Sequence, residues 1–312
     1  MASDRRFRFG AQLSHAGSAE EWAAKARRVE ELGYSTLCVP DHFDDQLAPL
    51  PALVAAAEAT TTLRVGTLVL ANDYRHPLLV AKEAATVDLL SGGRMELGMG
   101  AGWLASDYEQ SGMACEPASV RIDRLAEALS VVKGLLVGGK FSFRGRHYTV
   151  SDHPGTPLPV QRPRPPILVG GGGPRILALA GREADIVSVN FDLRSGSIGP
   201  QVAATATAER TAEKVGWVRE AGGDRFDDIE LSYTAYLTMV TDDRHEVAAG
   251  LGVGFGLHAD QVLAMPNFAI GTVVEIADEL ERRRDELGLS YVVVGGECHE
   301  AMAPVVARLA GT

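Results

Sequence analysis

From end to end the chain alternates segments that read as strands with segments that read as helices, and that alternation limits its fold more than any other feature. Strand patterns occupy 7–13, 34–39, 63–70, the run opening at Arg94, 167–169, 185–189, 229–240 and 291–294. Helical patterns follow them. Ser18 with Glu20 and Glu21 reads as the N-cap and acidic first turn of a helix that ends at Gly33. Further helices are expected at 51–61, 77–90, 118–137, 175–181, 200–221, loosely around the glycines at 250, 252, 254 and 256, then at 272–287 and finally to Leu309. Segment 138–166 breaks the rhythm: 141–148 reads as a small hairpin, and the Pro-rich run to Pro166 as an extended outer connector. About eight strand-then-helix units in 312 residues imply a parallel sheet closed on itself, an α/β fold of the (β/α)8 TIM-barrel type with loop insertions. One domain over 1–312 is expected, with an open doubly wound sheet as the alternative.

Composition narrows the partners. With 46% hydrophobic residues, 23% charged and a formal net charge of -11, the chain is an ordinary globular one whose average surface repels nucleic acid and anionic membranes. Cys38, Cys115 and Cys298 are odd in number and lack metal-type spacing, so neither a disulfide framework nor a metal site is expected. The polar, basic N-terminus leaves no room for a signal peptide's apolar core, and no apolar run reaches the roughly 18 residues that a membrane span needs. These readings point to the cytoplasm.

In a barrel of parallel strands the loops after the strands' C-terminal ends build the site. The unusual residues fall there. Asp41 and His42 end the second strand, Thr67, Leu68 and Val69 the third, Gly98, Gly100, Ala101 and Gly102 the fourth, Gly170, Gly171 and Gly172 the fifth, and Asn190 the sixth. The glycines at every second position of 94–103 remove side chains where a flat ligand needs the backbone close; a barrel corner needs the same pattern. Gly170 to Gly173 leads into a helix start, fixed by Pro174, whose free N–H groups and dipole favour a phosphate. Asp41 beside His42 offers a carboxylate and an imidazole able to exchange protons near neutral pH, or else a cap and a half-buried histidine. His15, Trp103, Tyr108 and Asn190 are candidates for the substrate pocket.

With these loops in place, the chain resembles the luciferase-like oxidoreductases, the barrel superfamily that includes FMN monooxygenases and enzymes of the deazaflavin coenzyme F420. The likeness spans nearly the whole chain. It rests on Val39-Pro40-Asp41-His42-Phe43, Arg64-Val65-Gly66-Thr67, Arg75-His76-Pro77, Gly93-Arg94 with Gly98 to Trp103, Pro166 to Gly171, and Leu289 to Val294. The resemblance implies a planar redox ring across the barrel mouth against Asp41, His42, Thr67 to Val69 and Gly100 to Gly102, with its phosphate tail near Gly170 to Gly172. It implies a non-prolyl cis peptide at Leu68-Val69 backing the ring, and His42 as the group nearest the reactive ring carbon. A homodimer is usual for such proteins.

One departure bears on the substrate. In the family's sugar-phosphate dehydrogenases an acidic residue follows the Gly-x-Gly loop, and Trp103 stands there in this chain, which has only five lysines for a phosphate. That argues against glucose 6-phosphate and for a small, less polar molecule such as an activated alkene, carbonyl or imine. The expectation is therefore an F420-dependent oxidoreductase; the alternatives are a reduced-FMN monooxygenase, a flavin-binding protein without turnover, and a cofactor-free barrel isomerase or aldolase.

Overall fold

The computed structural model describes residues 5–197 and 199–312. The first four residues of the polar N-terminal segment lie outside the described residues. Eight parallel strands close on themselves: β1 (Arg8–Gln12), β2 (Thr36–Val39), β3 (Arg64–Thr67), β4 (Met95–Gly100), β5 (Ile167–Gly171), β6 (Ile186–Val189), β7 (Glu230–Ala235) and β8 (Leu289–Val294). Closure comes from β8 pairing with β1 and β3 pairing with β4. Around them lie α1 (Ala19–Glu31), α2 (Pro49–Ala59), α3 (Pro77–Leu90), α4 (Ala118–Val137), α5 (Pro174–Glu183), α6 (Ala208–Gly222), α7 (Val273–Leu287) and α8 (His299–Leu309). This is the (β/α)8 barrel that the alternation implies.

Local chemistry explains the elements. Strands β2, β4 and β8 are buried along their whole length, as parallel strands covered by helices outside and filled by side chains inside must be. On α1 the Ser18 hydroxyl accepts from the Glu21 N–H, and Trp22, Ala26 and Val29, spaced to share one face, are buried. Thr272 and Glu275 form a reciprocal capping box at the start of α7.

Three elements differ from the sequence pattern. Segment 63–70 is not one strand: β3 stops at Thr67 and pairing resumes at Leu70–Ala71, with a cis Leu68–Val69 peptide between. Segment 229–240 splits as well, because Asn267 intrudes. Its carbonyl accepts from the Tyr236 and Leu237 N–H groups and its Nδ2 donates to the Thr234 carbonyl, so Leu237–Val240 leaves the barrel and pairs with Phe268–Gly271. The helix expected over 200–221 breaks at Thr207, whose hydroxyl caps α6. The insertion carries its hairpin, Phe141–Arg144 with Thr149–His153, so the second strand runs beyond 148. Asp88 of α3 anchors the connector by accepting from the Val160 and Gln161 N–H groups.

At the N-terminal end of the barrel, Glu96 is buried between Arg8 and Arg64, 2.5 and 2.6 Å away, and Arg8 also reaches Glu230. The Tyr291 hydroxyl points at the same carboxylate. This charged floor ties β1, β3, β4 and β7 together. It faces away from the C-terminal strand ends, where the loops gather.

Candidate active site

A cavity of about 710 Å³ opens at the C-terminal mouth. It brings together Asp41, His42, Leu68, Val69, Gly100, Ala101, Gly102, Trp103, Gly170, Gly171, Gly172 and Asn190. The loops after five different strands therefore converge, as their sequence positions require.

His42 is held from behind. Its Nδ1 lies 2.7 Å from Asp107 Oδ2, and that carboxylate also accepts from the Tyr74 hydroxyl at 2.8 Å and the Phe43 N–H at 3.3 Å. An ionised carboxylate only accepts, so Nδ1 donates, and Nε2 has no protein partner among the described residues. The Asp107 side chain is 3% exposed, against 21% for His42, so the imidazole meets the cavity and the acid does not. Burial, reinforced by the bond to Asp107, holds the Tyr74 hydroxyl well above the ordinary phenol range. Trp103 sets its ring edge-on to His42 with centroids 5.6 Å apart.

Asp41 is not the partner of that histidine. Its carboxylate takes two bonds from Arg75, at 2.5 and 2.9 Å, and one from the Ala71 N–H, so it pins the end of the third strand to the loop after it. The expected Asp41–His42 proton pair does not form; Asp107 takes the acid's place. It sits on Ala105–Ser111, a short helix between β4 and α4.

Other expected residues fall elsewhere. Thr67 lies behind the wall, its hydroxyl donating to the Gly98 carbonyl and accepting from the Gly98 N–H, both at 2.8 Å. Tyr108 is buried and donates to Asp73, off the cavity. His15 is exposed, bonded to Ser14, and also outside it.

The glycines have a more particular reason than ligand approach. A side chain at Gly98 would overlap the Thr67 carbonyl, and one at Gly100 would come to 2.7 Å from Val69 Cγ2. Gly102 adopts a φ of +75°. Gly172 must admit the Phe191 carbonyl, which crosses directly over it. The glycines thus serve the bulge at Leu68–Val69 and the crossing at Phe191, and these backbone features give the cavity a low, apolar wall. Such a wall fits a planar ring. The N–H groups of Arg175 and Ile176 open α5 at the rim after Gly173 and Pro174, a fit for an anionic tail; Arg175 itself reaches Asp123 at 2.9 Å.

Lys214 is a further residue without a local signal. Its ammonium is buried and donates to the Asn190 carbonyl at 2.7 Å and the Thr205 carbonyl at 2.6 Å, fixing the segment that roofs the cavity. Burial, opposed by Asp192, lowers its pKa to about 8.

The chain is similar to known proteins over most of its length. An F420-dependent glucose-6-phosphate dehydrogenase from Amycolatopsis mediterranei (strain U-32) is 29% identical over 94% of this chain and 88% of its own length. An FMNH(2)-dependent dimethylsulfone monooxygenase from Pseudomonas putida is 31% identical over 55% of the chain and 48% of its own. The solved coenzyme F420-dependent tetrahydromethanopterin reductase from Methanopyrus kandleri shares the fold, with a TM-score of 0.80 over 98% of this chain and 99% of that one at 19% identity. A family model described as luciferase-like monooxygenase matches residues 6–251, and on that match the chain belongs to the luciferase-like monooxygenase family.

Proposed function

We propose that this protein is an oxidoreductase that moves hydride between coenzyme F420 and an uncharged, rather apolar organic substrate. The observation that carries the reading is the His42–Asp107 pair set on the cavity beside the low wall at Leu68, Val69 and Gly100 to Gly102. Likeness to F420-dependent relatives supports the cofactor.

When bound, F420 supplies a planar ring whose carbon gives or takes hydride. The chain's own residues do the rest. Leu68, Val69 and Ala101, which line the cavity, would support one ring face, and the start of α5 with Arg175 would receive the anionic tail. His42 would hold or move a proton at Nε2, which meets the cavity; Asp107 keeps its ring oriented and would stabilise the imidazolium, and Tyr74 keeps Asp107 in place. Trp103 and the apolar walls exclude water. Trp103 puts an indole where the family's sugar-phosphate dehydrogenases carry an acid, which argues against a sugar phosphate; the cations that line the cavity are Arg121, Arg175 and Arg194.

The second reading, a reduced-FMN monooxygenase, is favoured by the Pseudomonas putida relative. Fluorescence titration of the apoprotein with F420 and with FMN separates the two: binding of F420 is expected, and tight binding of FMN with none of F420 would overturn the assignment. His42→Ala is expected to leave F420 affinity within about twofold and to lower turnover by roughly 100-fold or more. Unchanged turnover removes the role given to His42.

A further inference from the structure

Besides the residues set against the ring, the cavity lining includes an apolar and aromatic stretch, its lobe, that the chemistry at His42 does not use. Its wall comes from outside the barrel: from Phe191, Val202 and Ala203 in the segment after β6, from Tyr236 where the chain leaves β7, and from Phe255 and Phe268 of the side module. That module, with helices Arg244–Phe255 and Ala259–Ala264 and the ribbon Leu237–Val240 with Phe268–Gly271, has a small apolar core of its own. Phe191 stacks on Tyr236 with centroids 5.6 Å apart, and Phe255 on Phe268 at 5.8 Å. Tyr236 is 38% exposed, and Asn190 Nδ2 donates to its hydroxyl at 2.6 Å. Asn190 and Tyr236 satisfy each other through that bond, and Asn190 Oδ1 accepts from the Phe191 N–H.

The wall is also soft. Helix Arg244–Phe255 carries Gly250, Gly252 and Gly254 in its interior. A methyl at Gly252 would overlap the Leu257 carbonyl, but at Gly250 and Gly254 it meets nothing within 4 Å. Packing does not require those two glycines, and each weakens the helix that ends in Phe255.

We propose that this lobe is a subsite for an extended apolar or aromatic group of the substrate, so that the protein acts on alkyl- or aryl-substituted carbonyl compounds larger than the compact molecules that would fill the mouth alone. The proposal rests on reading the mouth as the hydride-transfer site. A buried methylene contributes a constant increment of affinity wherever apolar surface leaves water, so chain length measures the lobe directly.

The test is calorimetric titration of the protein loaded with oxidised F420, using 2-butanone, 2-hexanone, 2-octanone and 2-decanone. The dissociation constant is expected to fall by about threefold to fourfold per methylene until the lobe is full. In Ala203→Phe, which fills the lobe, the gain beyond 2-hexanone should vanish while F420 affinity holds; should that variant not fold, Phe255→Ala should weaken 2-decanone at least fivefold. A series flat from four to ten carbons overturns the subsite, as does a series unaltered in both variants. If F420 fails to bind at all, the cofactor reading falls, and the same ketone series on the apoprotein decides the subsite by the same criteria.

Discussion

Asp107 is the residue on which the site turns, and no local pattern reveals it. His42, Tyr74 and Asp107 lie far apart in sequence, and only the closed barrel brings them within hydrogen-bond distance. The adjacent Asp41 is the natural choice by proximity, yet the guanidinium of Arg75 claims it. Asp107→Asn keeps the shape and removes the charge, so F420 affinity should stay within about threefold while turnover drops roughly 10- to 100-fold. The pH profile of turnover should move as well, because an amide no longer stabilises the imidazolium; an unmoved profile would give Asp107 a merely structural part. Lys214 makes a different prediction. Its folded-state pKa of about 8 lies below the ordinary lysine value of 10.5, so between these values the unfolded chain holds more protons and this group's contribution to stability rises with pH. Lys214→Met should therefore gain on the wild type below about pH 8 from losing a buried charge and lose from two orphaned carbonyls, but the difference between the two proteins should shift by roughly 3 kcal/mol in favour of the wild type from pH 8 to 10.5. Thermal melts across that range measure it.

At the scale of elements, regular periodicity was legible and interruption was not. Helix α4 runs over Ala118–Val137 as its pattern requires, and Ser18 and Thr272 cap where they stand. The break in β3 and the departure of Leu237–Val240 depend on Gly98 and Asn267, which act from distant parts of the chain. The helix at Ala105–Ser111 is too short and polar for its spacing to announce it. Glycines divide the same way, since sequence shows where they are and only contacts show which are needed. Gly98→Ala forces its methyl into the Thr67 carbonyl and should destabilise the protein by at least about 2 kcal/mol, with loss of cofactor binding. Gly250→Ala, exposed and facing open space, should stabilise by about 0.5–1 kcal/mol. Paired denaturation curves check both; equal midpoints for the two variants would refute the division.

For the whole molecule, the alternation of strand and helix was enough to specify a closed barrel, because parallel strands need a crossover and a full set of units leaves no edge. Its consequence is a separation of duties between the two ends. The mouth holds the cavity, while the floor buries Glu96 between Arg8 and Arg64. Burial alone would raise the carboxyl's pKa, and the two guanidiniums outweigh it, so the folded value lies below the usual 4.5. A depressed carboxylate lends stability above its unfolded pKa and loses it as pH falls through the folded one. Glu96→Gln should thus lower the unfolding free energy by about 2–4 kcal/mol at neutral pH, and the gap to wild type should narrow below about pH 4. F420 affinity should not change, since no strand end at the mouth depends on that charge. A variant that melts early and binds F420 as tightly as wild type would show that the end of the barrel that closes the fold is distinct from the end that does the chemistry; a matching loss of affinity would mean that the floor also sets the geometry of the mouth.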